Sequence, residues 1–159
     1  MQMSKIVEPI GTFNSLLVEY LNTFNQLEKN VGLCIARLED SSIEDGFKKL
    51  ATTNCEMKIE KLYKFVKSKK ILKSESNLQE LKDWCESAHQ MRHQRNKYIH
   101  GHWTFLPHLE NGVELSVAPW VKEIYGGNER MSLQELSNIV QAIKDCFEQL
   151  VLIRRKNNI

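Results

Sequence analysis

The chain has no apolar run approaching membrane-spanning length, and its opening MQMSKIVEPIG lacks the continuous apolar stretch of a signal peptide. A membrane-spanning role is therefore set aside, and the cytoplasm is the expected compartment. Charge of one sign is also scarce. Lys and Arg number 22 against 20 Asp and Glu, and a formal net charge of +2 is too small to designate a partner by bulk charge. Cys34, Cys55, Cys85 and Cys146 are widely spaced with no C-x-x-C pair, so no disulfide framework is expected, and three of them fall on helical stripes as small buried hydrophobes. Internal repeats, low-complexity tracts and interdomain linkers are missing as well. One domain over residues 1–159 follows, long enough to bury a core without staples.

What the chain does have is helical periodicity. Phe13, Leu17, Tyr20, Phe24, Leu27, Val31, Cys34 and Leu38 alternate steps of four and three, predicting a long helix from about Thr12 to Leu38. Loop chemistry interrupts it at residues 39–42, and a short helix over Ile43–Ala51 is possible. A second strong helix is expected from about Glu56 to Ser68, burying Ile59, Leu62, Phe65 and Val66. The third begins after Ser76, with Gln79 completing an S-x-x-Q capping box, and closes at Ile99 or His100 with Gly101 in a left-handed cap. The helical pattern then stops. Residues 103–118 read as a small hairpin around Asn111-Gly112, with Pro107 placing the first strand at an edge. Gly126-Gly127-Asn128 marks a loop, and the last helix starts at a Ser132–Glu135 capping box with Leu133, Leu136, Val140, Ile143, Phe147 and Leu150 as its seam. Four capped amphipathic helices and one hairpin describe an all-α bundle.

The segment MRHQRNKYIHGHW at 91–103 breaks this pattern in an informative way. Leu78, Leu81, Cys85 and Ala88 form a stripe whose continuation is Arg92, Arg95 and Ile99, so two guanidinium groups stand where core residues are expected. His89, His93, Asn96 and His100 share the adjoining face. Desolvating a charge is costly, so something anionic should meet these arginines. Glu19 or Glu28 could do so from within the chain, and the arginines would then only fix helix register.

Arg95-Asn96-Lys97-Tyr98-Ile99-His100 resembles the R-x4-6-H signature of the HEPN superfamily, including the polar residue after the arginine. The continuation His100-Gly101-His102-Trp103 is similar to bacterial members of the abortive-infection type. The likeness extends over the chain in architecture and over about a dozen residues in sequence. It implies a four-helix up-and-down bundle with the motif near the end of the third helix; the hairpin insert is not part of the superfamily pattern. It also implies a metal-independent endoribonuclease acting on single-stranded RNA, with one composite site built across the dyad of a homodimer, as in a toxin or defence effector. Arg95, Asn96 and His100 are then the catalytic set. Arg92, His93, His102, Tyr98 and Trp103 are auxiliary or RNA-binding, and no cofactor or metal is expected. Any antitoxin or other regulatory protein is expected on a separate chain.

The same residue types suit that chemistry. Histidine exchanges protons near neutral pH, arginine holds phosphate oxygens bidentately, and an asparagine one turn before His100 can orient the imidazole. On an ideal helix Arg95 and His100 point about 140° apart, so one copy surrounds a phosphate poorly and two symmetric copies do it better. A metal site is the rival chemistry: His89 and His93 are spaced to share an ion, with His100 or His102 as a third ligand. No H-E-x-x-H accompanies them, and neighbouring arginines would repel a cation. Lys61, Lys64, Lys67, Lys69, Lys70 and Lys73 form a tract that reads either as an RNA-backbone track or as a solvated helix face. Tyr98 and Trp103 could stack on a base or serve as core, while Trp84 and Trp120 read as structural. The alternative function is a HEPN-like module without nuclease activity that binds RNA or a nucleotide, or regulates by dimerising.

Overall fold

The four-three spacing that begins at Phe13 becomes one helix, α1 (Ser4–Leu38), in the computed structural model, which describes residues 4–72, 74–106, 112–117 and 126–159. Phe13, Tyr20, Phe24, Leu27, Val31, Cys34 and Leu38 of its seam are buried. The helix starts at Ser4 rather than near Thr12 and runs through Pro9. A proline so close to a helix start removes a single backbone bond next to groups that water already solvates. There follow α2 (Ile43–Leu50), α3 (Cys55–Ser68), α4 (Glu75–His100), β1 (Gly101–Leu106), β2 (Gly112–Val117), β3 (Glu129–Ser132) and α5 (Leu133–Asn157). Among the described residues the protein is thus mostly helical, with five helices and a small antiparallel sheet in the order β1-β2-β3.

Side-chain caps set the helix starts. The Asp45 amide donates to Ser42 Oγ at 3.1 Å, and the Met57 amide to Asn54 Oδ1 at 2.9 Å. At α5 the capping box forms as its spacing predicts: Ser132 N donates to Glu135 Oε2 at 2.6 Å and Glu135 N to Ser132 Oγ at 3.1 Å. Those Ser132 donors hold the Glu135 carboxyl below its ordinary range. The Ser76–Gln79 box does not form. Ser74 caps α4 instead, accepting from the Asn77 amide at 3.1 Å, while Gln79 donates to Asp83 at 2.6 Å.

Three helix ends share another device. Asp40 (φ 53°), Lys70 (φ 48°) and Asn158 (φ 55°) are left-handed. Each lets the next amide reach back five residues along the chain: Ser41 to the Ala36 carbonyl at 3.1 Å, Ile71 to Val66 at 3.2 Å, Ile159 to Arg154 at 3.2 Å. These are Schellman closures built without glycine. Gly101, by contrast, is not left-handed; among the described glycines Gly126 alone has positive φ, at 82°.

The chain divides into two compact units. One comprises Met1–Asn22 and His93–Lys144; the other comprises Thr23–Arg92 and Asp145–Ile159. Among the described residues the regular elements of the second are all helices, with Phe24, Leu27, Leu62, Leu81, Trp84 and Leu150 in its core. Trp84 donates its indole N–H to the Cys146 carbonyl at 2.9 Å, a structural role. Within this unit α2 approaches α1 so closely that a Cβ on Gly46 would lie 2.4 Å from Ala36 Cβ.

In the first unit the sheet alternates cleanly. Trp103, Phe105, Val113, Leu115 and Met131 share one face through the pairs Trp103↔Leu115, Phe105↔Val113 and Val113↔Met131. His102, Thr104, Ser116, Glu114 and Arg130 take the other. Gly112, expected in the hairpin turn, already belongs to β2 opposite Leu106. Pro107, His108, Asn111 and Trp120 lie outside the described residues. Strand β3 carries one buried apolar residue, Met131, too little periodicity to register in sequence.

Two stability outcomes follow from the second unit. Gly46→Ala should destabilise by about 1–3 kcal/mol through overpacking, although helix propensity alone favours alanine by about 1 kcal/mol. A urea midpoint that rises in this variant would contradict the packing. Lys70→Gly should stabilise, because an L-residue in the left-handed region costs roughly 1–2 kcal/mol. Thermal melting reads it, and a lower melting temperature would refute the cap assignment.

Candidate functional site

The last two turns of α4 and the start of β1 belong to the first unit and hold the conspicuous residues. Tyr98 anchors them. It is 2% exposed, its ring 5.3 Å from that of Tyr20 and 5.1 Å from that of Trp103. Trp103 in turn lies 5.1 Å from Phe13 and donates Nε1–H to the Tyr98 carbonyl at 3.2 Å. Gln94 Nε2 donates to Tyr98 Oη at 2.7 Å. Burial, aided by the Glu129 charge, pushes the Tyr98 phenol well above its ordinary range. Tyr98 thus belongs to the core, and the half-buried Trp103 packs against it. Lys97 completes the anchoring with an ion pair to Glu129 of β3 at 2.6 Å.

With that face fixed, the remaining faces present the polar set. Arg95 is half-buried and donates NH1–H to Asn96 Oδ1 at 3.0 Å. This bond orients the guanidinium and leaves Asn96 Nδ2 as a donor. His100 is exposed in the final turn, and His93 is exposed two turns earlier. His102 is exposed on the outer face of β1, opposite Ser116. Ile99, expected in the core, is 44% exposed, because the buried positions of α4 are Leu81, Trp84, Cys85, Ala88 and Tyr98. Counting from Tyr98 in place of Ile99 turns the seam by one position and brings Arg95 to its margin.

Arg92 belongs to the second unit, whereas Arg95, Asn96 and His100 belong to the first. Arg92 NH1 lies 3.3 Å from Glu56 Oε2, so its charge is matched inside the chain. The carboxylates considered as internal partners are engaged with lysines: Glu19 with Lys144 at 2.6 Å and Glu28 with Lys58 at 2.6 Å. Among the described residues no group of three or more His, Cys, Asp or Glu side chains is placed to hold a metal ion. No described helix is long and apolar enough to cross a membrane.

The lysine tract is largely spoken for. Lys61 pairs with Glu39 at 2.7 Å and Lys64 with Glu60 at 3.3 Å, and Lys67 sits 6.0 Å from the Tyr63 ring. Lys69 donates to the Leu38 carbonyl, and Lys73 is outside the described residues. A solvated, internally paired helix face accounts for it.

Sequence reasoning overlooked Gln94 and the Lys97–Glu129 pair, and took Gly101 for a left-handed helix cap where its role is close packing. Gly101 joins α4 to β1 with no intervening residue, and a Cβ there would meet Leu115 Cδ1 at 2.2 Å and the Lys97 carbonyl at 2.9 Å. A glycine between an apolar helix end and an apolar strand is the available signal. Compared with models of protein families, with curated proteins and with solved structures, the chain matches none.

Gly101→Ala should therefore cost about 1–3 kcal/mol in a denaturant titration. Combined with Leu115→Ala it should cost less than the sum of the two single changes, since the clash and the cavity offset each other. Strict additivity would show that the two sites do not touch.

Proposed function

We propose that this chain is a metal-independent endoribonuclease of HEPN type, acting on single-stranded RNA, with its composite site formed by two copies of the chain. The observation that carries the reading is the Arg95–Asn96 hydrogen bond at 3.0 Å, one turn before an exposed His100 at the end of α4. It supports an arginine pre-set for phosphate and an imidazole open to substrate. The superfamily's up-and-down bundle is the fold expected on this reading.

In the proposed reaction the ribose 2′-oxygen attacks the adjacent phosphorus while the bond from phosphorus to the 5′-oxygen breaks. One imidazole takes the 2′-hydroxyl proton, and a second protonates the leaving 5′-oxygen. The products are a 2′,3′-cyclic phosphate and a 5′-hydroxyl. His100 from each copy supplies base and acid, Arg95 stabilises charge on the phosphorane, and Asn96 orients either the imidazole or a phosphate oxygen. The dyad resolves the geometry, because Arg95 and His100 diverge by about 140° on one helix. A toxin or defence role, and an antitoxin that restrains it, belong to the same reading.

Pure protein incubated with mixed RNA in EDTA should cleave it and leave cyclic phosphate ends. His100→Ala should lower the rate on the order of 10²–10⁴-fold. Arg95→Ala should lose a comparable amount, and Arg95→Lys should not restore it if bidentate geometry matters. Cleavage that persists in His100→Ala yet stops with EDTA would overturn the mechanism. RNA that shifts on a gel without being cut under any condition would instead favour a non-catalytic binding module.

A further inference from the structure

The N-terminal half of α1 belongs to the first unit, and two of its sides are occupied there. On one, Phe13 meets Trp103 at 5.1 Å and Tyr20 meets Tyr98 at 5.3 Å between ring centroids. On the other, Glu19 is tied to α5 by an ion pair with Lys144 at 2.6 Å. On a helix of about 100° per residue, Glu19 stands roughly 100° to one side of Tyr20. Ile10, Asn14, Leu17, Val18 and Leu21 stand about 60–160° to the opposite side. Ile10, Asn14, Leu17 and Leu21 follow one another at steps of four, three and four, with Val18 beside them. That is a second, largely apolar stripe on the same helix.

The stripe is open. Val18 is 56% exposed and Ile10 38%, Asn14 is exposed, and Leu17 and Leu21 are half-buried. Gly11 at its edge is exposed too, and a Cβ there would meet no atom within 4 Å. Continued down the helix, the same count reaches Phe24 and Glu28, and both are engaged. Phe24 is buried, and Glu28 pairs with Lys58 at 2.6 Å. The open stretch is therefore confined to the about three turns from Ile10 to Leu21. Single apolar residues on a surface are ordinary, but four in one helical register are a face.

We infer that this stripe is the surface on which a second copy of the chain docks by its own α1, with the two-fold axis passing beside Asn14. Charge favours that occupant. The stripe carries no charged residue, and Glu19 lies on the other side of the helix in its own ion pair, so two copies meet without like-charge repulsion. Asn14 favours it as well. A side-chain amide is both donor and acceptor, so two copies of Asn14 on a dyad satisfy each other. One polar residue in an apolar seam is a known means of fixing register between helices, at some loss of stability. The inference rests on the two-copy reading of the function, to which it adds the surface. The stripe belongs to the unit that holds Arg95, Asn96 and His100.

The test is sedimentation velocity of the full chain over a concentration series. The wild-type chain should pass from 18.6 kDa to twice that mass. Val18→Lys should weaken the association by at least about tenfold, because it sets ammonium groups from both copies in an apolar seam. Thr12→Lys, exposed on the Glu19 side of the helix, should leave it unchanged. Asn14→Cys should give a disulfide-linked dimer on oxidation with diamide, which neither the wild-type chain nor Thr12→Cys should give. Circular dichroism checks each fold, and the Asn14→Cys result decides if Val18→Lys does not fold. RNA cleavage measured alongside separates this inference from the reading it rests on. A dimer that cuts no RNA keeps the interface and removes the nuclease, whereas a Val18→Lys monomer that still cuts keeps the interface and removes the composite site. A wild-type chain that stays monomeric, a folded Val18→Lys chain that dimerises as well as wild type, or an Asn14→Cys chain that does not cross-link overturns the interface.

Discussion

The first unit depends on a missing methyl group. At Gly101 the backbone of α4 passes into β1 against Leu115, and no side chain larger than hydrogen fits there without displacing Leu115 or the Lys97 carbonyl. Because helix and strand share that junction, the register Gly101↔Val117 decides every side-chain direction that follows. Trp103 turns inward onto Tyr98 and Phe13, while His102 turns outward. A slip of one residue would exchange them, exposing an indole and burying an imidazole. The placement of His100 and His102 is thus a consequence of packing at the glycine between them.

The two arginines that interrupt the α4 seam show how position along one helix changes the meaning of a charge. Arg92 meets Glu56 at 3.3 Å, although its Nε is buried without a hydrogen-bond partner. That is a register-setting ion pair, and such pairs contribute little net stability once desolvation is counted. Arg95, three residues on, instead donates to the side-chain amide of its neighbour. The distinction rests on which elements face each residue, and neither arginine's own sequence context contains it.

That contrast also marks what was legible in the chain. The long helices were readable because their buried residues recur at three and four positions from Phe13 to Leu38 and from Leu136 to Leu150, and local chemistry fixes the Ser132 cap. The start of α4 was misplaced because Ser74 and Ser76 are chemically equivalent caps two residues apart. Strand β3 was missed because four residues with one buried apolar side chain generate no period. At the site, the composition of the 92–102 segment was visible, but Tyr98 and Ile99 are both apolar and adjacent. Only the aromatic neighbours Tyr20 and Trp103 decide which of the two is buried.

Several of the described titratable groups are poorly suited to chemistry near neutral pH. Burial pushes Cys34 and Cys146 up to about 11 and Cys85 up to about 12, so these thiols are poor sources of nucleophilic thiolate. Tyr98 is raised by burial as well and is enclosed by other rings. Lys97 is held by Glu129. What remains exposed at the end of α4 is imidazole, on His93, His100 and His102. His102 stands on a strand facing Ser116, and His93 lies two helical turns from the terminus. His100 combines exposure with a polar amide one turn below it on the same helix face. Transfer of two protons in one displacement needs two such groups, and in the dimer proposed above the second would be the His100 of the other copy, which is why the dimer belongs to the proposed mechanism rather than standing beside it.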